Sequence, residues 1–236
     1  MMTPPKHCLN CPVFALSIFH GLDESKLDLI ANTKTAVSIK ARENVIKQGQ
    51  KSSDIYCIFS GLTKVYSDDG AKREHIITIT GRGDSMGVVS AVDDKNSLTS
   101  FEALTDIQAC HVPKETIQTL MTDIRFSKSI IEYLLGILYR HINPTRRGAR
   151  FSVKERMARV LVDFAKRFGE ETEAGTQIMV PLSRKELASL AETVNETAVR
   201  TLGELKSEGL ITTKAHHIYI RDIEKLEALT QAPPEL

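Results

Sequence analysis

Apolar and polar positions follow two different periods along this chain, and the change falls near residue 114. Between residues 37 and 113 the text reads as short strands separated by turns. The run Ile55-Tyr56-Cys57-Ile58-Phe59 is apolar and β-prone and ends at Ser60-Gly61; residues 62–66 continue as an alternating strand. Asp68-Asp69-Gly70 reads as a turn into a strand over 74–80. Glycines at 49, 61, 70, 81, 83 and 87 punctuate the stretch at the spacing of an all-β barrel or roll. Ahead of it, residues 22–33 carry Leu27, Leu29 and Ile30 behind Asp23, which predicts a helix with an aspartate N-cap. After Lys114 the period becomes helical. Ile117, Leu120 and Met121 open a short helix, and Ile130, Ile131, Leu134, Leu135, Ile137, Leu138 and Ile142 form one broad apolar stripe. Such a stripe must be buried against its own domain, a second chain, or both. Pro144 should end or kink that helix, with Gly148, Arg146, Arg147 and Arg150 making a basic break. A further helix is predicted over 152–168, burying Met157, Val160, Leu161 and Phe164. Residues 170–176 read as an acidic loop and 178–181 as a short strand.

Two helix starts then follow in quick succession. Ser183-Arg184-Lys185-Glu186 has the spacing of a capping box, and Leu187, Leu190 and Ala191 give its helix an apolar face. Ten residues on, Thr193-Val194-Asn195-Glu196 offers a second box. Leu202 and Leu205 face inward, and Gly209 supplies a stop. Only a tight turn near 191–193 fits between them, which is a helix-turn-helix. Residues 210–213 and 217–220 read as two strands around Lys214-Ala215-His216, a wing. In such a domain the N-terminal part of the second helix meets base edges in the major groove. Arg200 can hold guanine O6 and N7, and Glu196 can accept from a cytosine amino group. Four apart, they share one face and could equally form only a surface ion pair. Asn195 and Thr197 flank them, and Thr193, Ser183 and Lys185 suit phosphate contacts.

Composition narrows the field. With 42 % apolar and 26 % charged residues the chain is typical of a soluble globular protein. Its net charge of only +1 leaves DNA binding to one local basic face. No stretch approaches the ~18 apolar residues of a membrane helix. The opening MMTPPKHCLNCPVF lacks the order of a signal peptide, so a cytoplasmic protein with reduced thiols and no membrane partner is expected. No phosphate-binding glycine loop, nucleophile elbow or metal-spaced histidine set suggests an enzyme.

Almost end to end, the chain resembles the CRP/FNR superfamily of bacterial transcription regulators. The matching stretches are NVIKQGQKSSDIYCIFSGLTKVY, GRGDSMG, VKERMARVLVDFAKRF and LSRKELASLAETVNETAVRTLGELKSEGLI, whose E-x-x-x-R core is the most specific. The resemblance implies an α+β fold: an N-terminal β-roll (cyclic-nucleotide-binding-like) domain, a long dimerisation helix and a C-terminal winged helix-turn-helix. The expected parts are an N-terminal cysteine segment (1–21), the sensor roll (22–124), the dimerisation helix and hinge (125–150) and the DNA-binding domain (151–236). It further implies a homodimer on a two-fold symmetric operator in double-stranded DNA, with RNA polymerase as a partner in activation or repression. The stripe of Ile130, Ile131, Leu134, Leu135, Leu138 and Ile142 would then meet its copy, although an intrachain core would satisfy the periodicity too. Pro144 and Gly148 depart from the family's continuous helix and suggest a hinge between the two domains.

The same resemblance frames the signal. Cyclic-nucleotide binders carry Gly-Glu and a downstream Arg-Ser; here Gly87 precedes Val88, and Ser97-Leu98-Thr99-Ser100 has no arginine. A phosphate would meet no cation, which argues against cyclic AMP. Cys8-x-x-Cys11 and Cys110 resemble three of the four iron–sulfur ligands of the oxygen-sensing FNR branch, but Ser17 stands where that branch has another cysteine. Cys57 falls in a roll strand and looks a poor substitute; His7 or Asp23 could complete a cluster. Three readings stay open: a buried Cys110 with Cys8 and Cys11 idle in a mobile tail, a disulfide or thiol switch, or an iron–sulfur cluster. Val199 replaces the serine of the FNR branch and would touch a thymine methyl, shifting the half-site.

Overall fold

Among the described residues of the first half, alternating positions pair as eight antiparallel strands: β1 (Thr35–Ile39), β2 (Asn44–Ile46), β3 (Ile55–Ser60), β4 (Thr63–Asp68), β5 (Glu74–Thr80), β6 (Ser85–Met86), β7 (Ser100–Ala103) and β8 (Ile107–Val112). They form two four-stranded sheets, ordered β1-β8-β3-β6 and β2-β7-β4-β5, the architecture of a β-roll. Ile46, Ile58, Met86, Ala103, Ile107 and Ala109 make one buried cluster. The structure, a computed structural model, describes residues 3–52, 54–70, 74–142, 151–214 and 217–230, without the side chains of 140–142. The chain divides into two compact units, Met1–Tyr139 and Arg140–Leu236.

Helix α1 (Glu24–Thr33) starts as the sequence predicts, with the Asp23 carboxylate accepting from the Lys26 amide. A short helix not foreseen in the sequence, α2 (Val88–Asp93), follows Gly87, whose φ of 84° needs glycine. A Cβ on Gly87 would also lie 2.5 Å from the Asp54 carbonyl oxygen. Then come α3 (Lys114–Leu120) and α4 (Ile124–Ile142). Phe126 and Ile130 of α4 are buried in a second core cluster with Leu27, Ile30, Ile55, Val112, Ile117 and Leu120. Tyr133 adds a hydrogen bond from its hydroxyl to the Ser85 carbonyl (2.6 Å).

The N-terminal segment belongs to this core. Cys8, Ile18, Phe19 and Leu22 are buried in the same cluster, and Phe19 stacks on Phe126 with centroids 5.7 Å apart. An idle tail is therefore not what the segment forms: Cys8, Ile18, Phe19 and Leu22 are part of the core, while Leu9 and Leu16 face outward. Pro144, Gly148, Arg146, Arg147 and Arg150, on which the hinge expectation falls, lie outside the described residues.

In the second unit α5 (Val153–Phe168) begins with a capping box formed by Ser152 and Glu155 and buries Met157, Leu161 and Phe164. Val160 is only half-buried. The expected acidic loop is instead a hairpin, β9 (Gly169–Thr172) and β10 (Gly175–Ile178), and the strand expected over 178–181 ends at Ile178. The backbone decides this. Gly175, at φ +108°, lets β10 lie against β12 (His217–Ile220), where any Cβ would be 2.2 Å from the Ile220 carbonyl oxygen. With β11 (Ile211–Lys214) the sheet runs β11-β12-β10-β9. Acidic β9 is the charged edge strand, a pattern that resembles a loop in sequence and also discourages edge-to-edge pairing. Helices α6 (Arg184–Leu190) and α7 (Asn195–Ser207) precede β11, and α8 (Ile223–Ala228) closes the unit.

Candidate functional site

The helix-turn-helix rests on α6 and α7. Ser183 accepts from the Glu186 amide (3.2 Å), while the Glu186 carboxylate takes both the Ser183 amide and its hydroxyl (2.8 Å each). Both functional groups of Ser183 are thus spent locally, which limits it as a phosphate donor. The second box does not form. The cap of α7 is Val194, which has no hydrogen-bonding side chain, and Thr193 sits one residue too early. The turn itself imposes that offset: Ala191 ends α6, Glu192 takes a positive φ of 51°, and the Thr193 amide returns to the Ala188 carbonyl (2.9 Å).

Sequence reasoning missed the residue that secures this turn. Arg156, on α5, donates to the Ala191 carbonyl (2.9 Å), the Glu192 carbonyl (3.2 Å) and the Phe151 carbonyl (2.6 Å). Its five donors satisfy acceptors that a tight turn leaves unpaired. Arg156→Ala should lower the stability of the second unit by about 2–3 kcal/mol, from hydrogen bonds to a charged donor. Urea unfolding followed on the second unit would read this, and a change below about 0.5 kcal/mol, the scale of an ordinary surface substitution, would show the contacts to be incidental.

On α7, Ala198, Leu202 and Leu205 are buried, while Asn195, Glu196, Val199 and Arg200 are exposed and Thr197 is half-buried. The exposed set lies over the first two turns. Arg200 does not close on Glu196; its Nε lies 3.8 Å from the Glu204 carboxylate, a loose i,i+4 pair at 73 % exposure. Glu196 is left on the outer face beside Val199. Lys185 is exposed on α6. Strands β11 and β12 pair in register from Ile211↔Ile220 to Lys214↔His217, as expected of a wing, whose tip residues Ala215 and His216 lie outside the described residues.

The apolar stripe on α4 divides in two. Ile130 is 2 % exposed and is core, so its expected place against a second copy is overturned: it is buried in one cluster with Leu27, Ile30, Ile117 and Leu120, and Leu134 packs partly against the same cluster. Ile124, Ile131, Leu135 and Leu138 face outward. Their steps of seven, four and three are the spacing of a coiled-coil seam. The side chain of Ile142, next in that series, lies outside the described residues.

All four cysteines converge, including the one set aside in the sequence. Cys57 on β3 and Cys110 on β8 are register partners on neighbouring strands. Together with Cys8, Cys11, Ser17 and Lys34 they line a cavity of about 30 Å³. The Lys34 ammonium lies 3.7 Å from Cys8 Sγ and 3.5 Å from Cys110 Sγ and donates to the Pro5 carbonyl (3.1 Å). Cys57 Sγ lies 3.2 Å from Ser85 Oγ, and burial pushes its thiol up to about 12. Burial also raises Cys8 and Cys110, against the pull of Lys34.

A four-iron cluster does not fit this arrangement. The cavity has room for a water molecule or two, not for eight cluster atoms. Ser17, where the fourth thiolate would come from, donates to the Phe14 carbonyl (2.8 Å) and accepts from the Phe19 amide (3.3 Å). His7 and Asp23 are turned to other work, His7 to Asp28 and Asp23 to Arg125. Among the described residues, no three Cys, His, Asp or Glu side chains are placed to hold one ion. In the segment where the sequence lacks an arginine, Ser97 Oγ donates to the Thr99 carbonyl (2.7 Å), Ser100 Oγ accepts from the Gln48 amide (3.0 Å), and nearby Lys95 is exposed beside Asp93.

Comparison with known proteins agrees with this fold. A cyclic nucleotide-binding domain profile matches residues 36–123, and a Crp-like helix-turn-helix domain profile matches 155–229. The chain is 25 % identical over 213 residues to the CRP-like cAMP-activated global transcriptional regulator of Mycobacterium tuberculosis, covering 89 % of this chain and 94 % of that one. It is 23 % identical over 227 residues to the fumarate and nitrate reduction regulatory protein of Salmonella typhimurium, covering 94 % and 90 %. Among solved structures, FixK2 from Bradyrhizobium japonicum superposes with a TM-score of 0.74 at 22 % identity, covering 85 % of this chain and 99 % of that one. A roll with a cyclic-nucleotide-binding profile, a helix-turn-helix with a Crp-like profile and relatives that span nearly the whole chain lead to one assignment: the protein belongs to the CRP/FNR superfamily of transcription regulators.

Proposed function

We propose that two copies of this chain join along the outward seam of α4 and present two α7 helices to successive major-groove half-sites of a symmetric operator. Arg200 holds a guanine, Glu196 accepts from a cytosine amino group, and Val199 touches a thymine methyl. Asn195, Thr197 and Thr193 border that face, and Lys185 and the free amides at the start of α7 take phosphates. The observation that supports this is the division of α7: Ala198, Leu202 and Leu205 buried, Glu196, Val199 and Arg200 exposed in one patch. The loose Arg200–Glu204 pair is easily exchanged for a base, since exposed pairs are worth under about 1 kcal/mol. The regulator works on double-stranded DNA in the cytoplasm, conveying the state of its first unit to RNA polymerase rather than catalysing a reaction. Among the described residues no helix is long and apolar enough to cross a membrane. Identity to the two named relatives does not separate the branches; Cys8, Cys11, Cys110 and the missing arginine support a reading nearer the FNR side.

The test is selection of binding sites from random double-stranded DNA, followed by titration of the selected site. A two-fold symmetric site should emerge, with affinity falling steeply as salt rises. Arg200→Ala should cost about 1–3 kcal/mol on that site and relax preference at one base pair per half-site. Equal losses on every sequence would make Arg200 a phosphate contact, and a selection that returns no preferred site would overturn base reading by α7.

A further inference from the structure

The thiol cavity is too small for a four-iron cluster, yet it brings two thiols to one cation. A cation sits between two sulfurs drawn from distant parts of the chain: Cys8 on the N-terminal segment and Cys110 on β8 are both within reach of Lys34 Nζ, at 3.7 and 3.5 Å. Cys57 is engaged with Ser85. Cys11 is the least buried of the four, and the Lys34 ammonium donates to Cys8 and Cys110 rather than to it. The Lys34 ammonium offsets part of the burial that keeps both thiols protonated, and its charge stabilises the thiolate, the form that attacks an oxidant, once a proton has left. A second thiol on the same ammonium is in place to resolve the product.

We propose that Cys8 and Cys110 are an oxidant-responsive pair, positioned by Lys34, which a peroxide converts reversibly to a disulfide. Cys8 gives its proton to water, and its thiolate attacks a peroxide oxygen. The O–O bond breaks, leaving a sulfenic acid on Cys8 and hydroxide, which takes up that proton. Cys110 sulfur then attacks the sulfenic sulfur; the S–S bond forms and the departing hydroxide leaves as water with the Cys110 proton. Two thiols supply two electrons, and one hydrogen peroxide becomes two waters. A dithiol reductant reverses the bond by exchange.

The link has a route to α4 within the same unit. The segment carrying Cys8 continues into Phe19, stacked on Phe126, and into His20, whose carbonyl accepts from Ser129 Oγ (3.5 Å). Tying Cys8 to β8 fixes that segment between the sheet and α4. The consequence for DNA rests on the proposed function; the disulfide itself does not.

The full-length reduced protein is treated with hydrogen peroxide, digested without reductant and mapped by mass spectrometry, and both forms are titrated with the selected operator. A peptide containing Cys8 joined to one containing Cys110, lost on adding dithiothreitol, is the expected result. Cys57→Ser and Cys11→Ser should keep it, Cys110→Ser should abolish it, and Lys34→Gln should slow its formation. Operator affinity should differ at least about fivefold between the two forms, and not in Cys110→Ser. Oxidation confined to Cys11, a link joining any other pair, or stoichiometric iron or zinc in the isolated protein would overturn the site. A correct link with unchanged affinity would overturn its signalling role. Absence of operator binding in both forms would instead count against the DNA reading, with the peptide map still deciding the disulfide.

Discussion

Replacing Leu135 and Leu138 together by glutamate should leave a folded monomer whose operator affinity is lower by about 100-fold or more. Both side chains are exposed on the single chain, at 39 % and 46 %, so the exchange costs the fold little. In a parallel pair of α4 helices the same positions meet their own copies. Four carboxylates would then crowd a seam that needs apolar contact, and the pairing would fail. Operator binding suffers because linked half-sites gain roughly 10²–10⁴ over either alone, and a monomer forfeits that gain. Analytical ultracentrifugation with circular dichroism separates the outcomes. A folded variant that sediments as a dimer would remove α4 as the interface, and a folded monomer with full affinity would remove the need for two half-sites.

Phe126→Ala should destabilise the first unit by about 3–5 kcal/mol, the usual cost of truncating a buried aromatic. Phe126 is fully buried and stacks on Phe19 with planes 6° apart, holding the N-terminal segment against the base of α4. Its removal opens a void and also loses the aromatic contact, worth roughly 0.5–1.5 kcal/mol. Set against a domain stability of ~5–15 kcal/mol, the loss is large enough to expose the segment and with it Cys8. Denaturant midpoints should shift accordingly, while Leu98→Ala, at a side chain 74 % exposed, should move them by no more than about 0.5 kcal/mol. Equal shifts for the two would mean that Phe126 is not part of a tightly packed core.

How much was legible beforehand differs sharply between elements. The Asp23 and Ser183 caps, the buried faces of α5 and α7 and the wing strands could all be read, since each depends on residues within a few positions of one another. The α7 cap was misplaced by one residue because Thr193 and Glu196 have the spacing of a box, and only the strained backbone at Glu192 shows that the helix starts later. The acidic stretch before β10 gave no strand signal, since both faces of an edge strand can be polar, and the strand it pairs with, β10, is itself held by β12, over 40 residues away. Arg156 looked like any cation on a helix; that its donors end on the Ala191 and Glu192 carbonyls depends on how α5 packs against the turn.

The sequence by itself determined the order of elements, the helix-turn-helix with Glu196, Val199 and Arg200 on one side of its second helix, and the amphipathic character of α4. These follow from the 3.6- and 2-residue periods and from local capping, which need no distant partner. Tertiary structure alone decided which half of the α4 stripe is core, because Ile130 and Ile131 differ only in what is packed against them. It also brought Cys57 beside Cys110 through strand register and set Lys34 between Cys110 and Cys8. Register and burial are settled by contacts between residues far apart in the chain, and no local pattern encodes them.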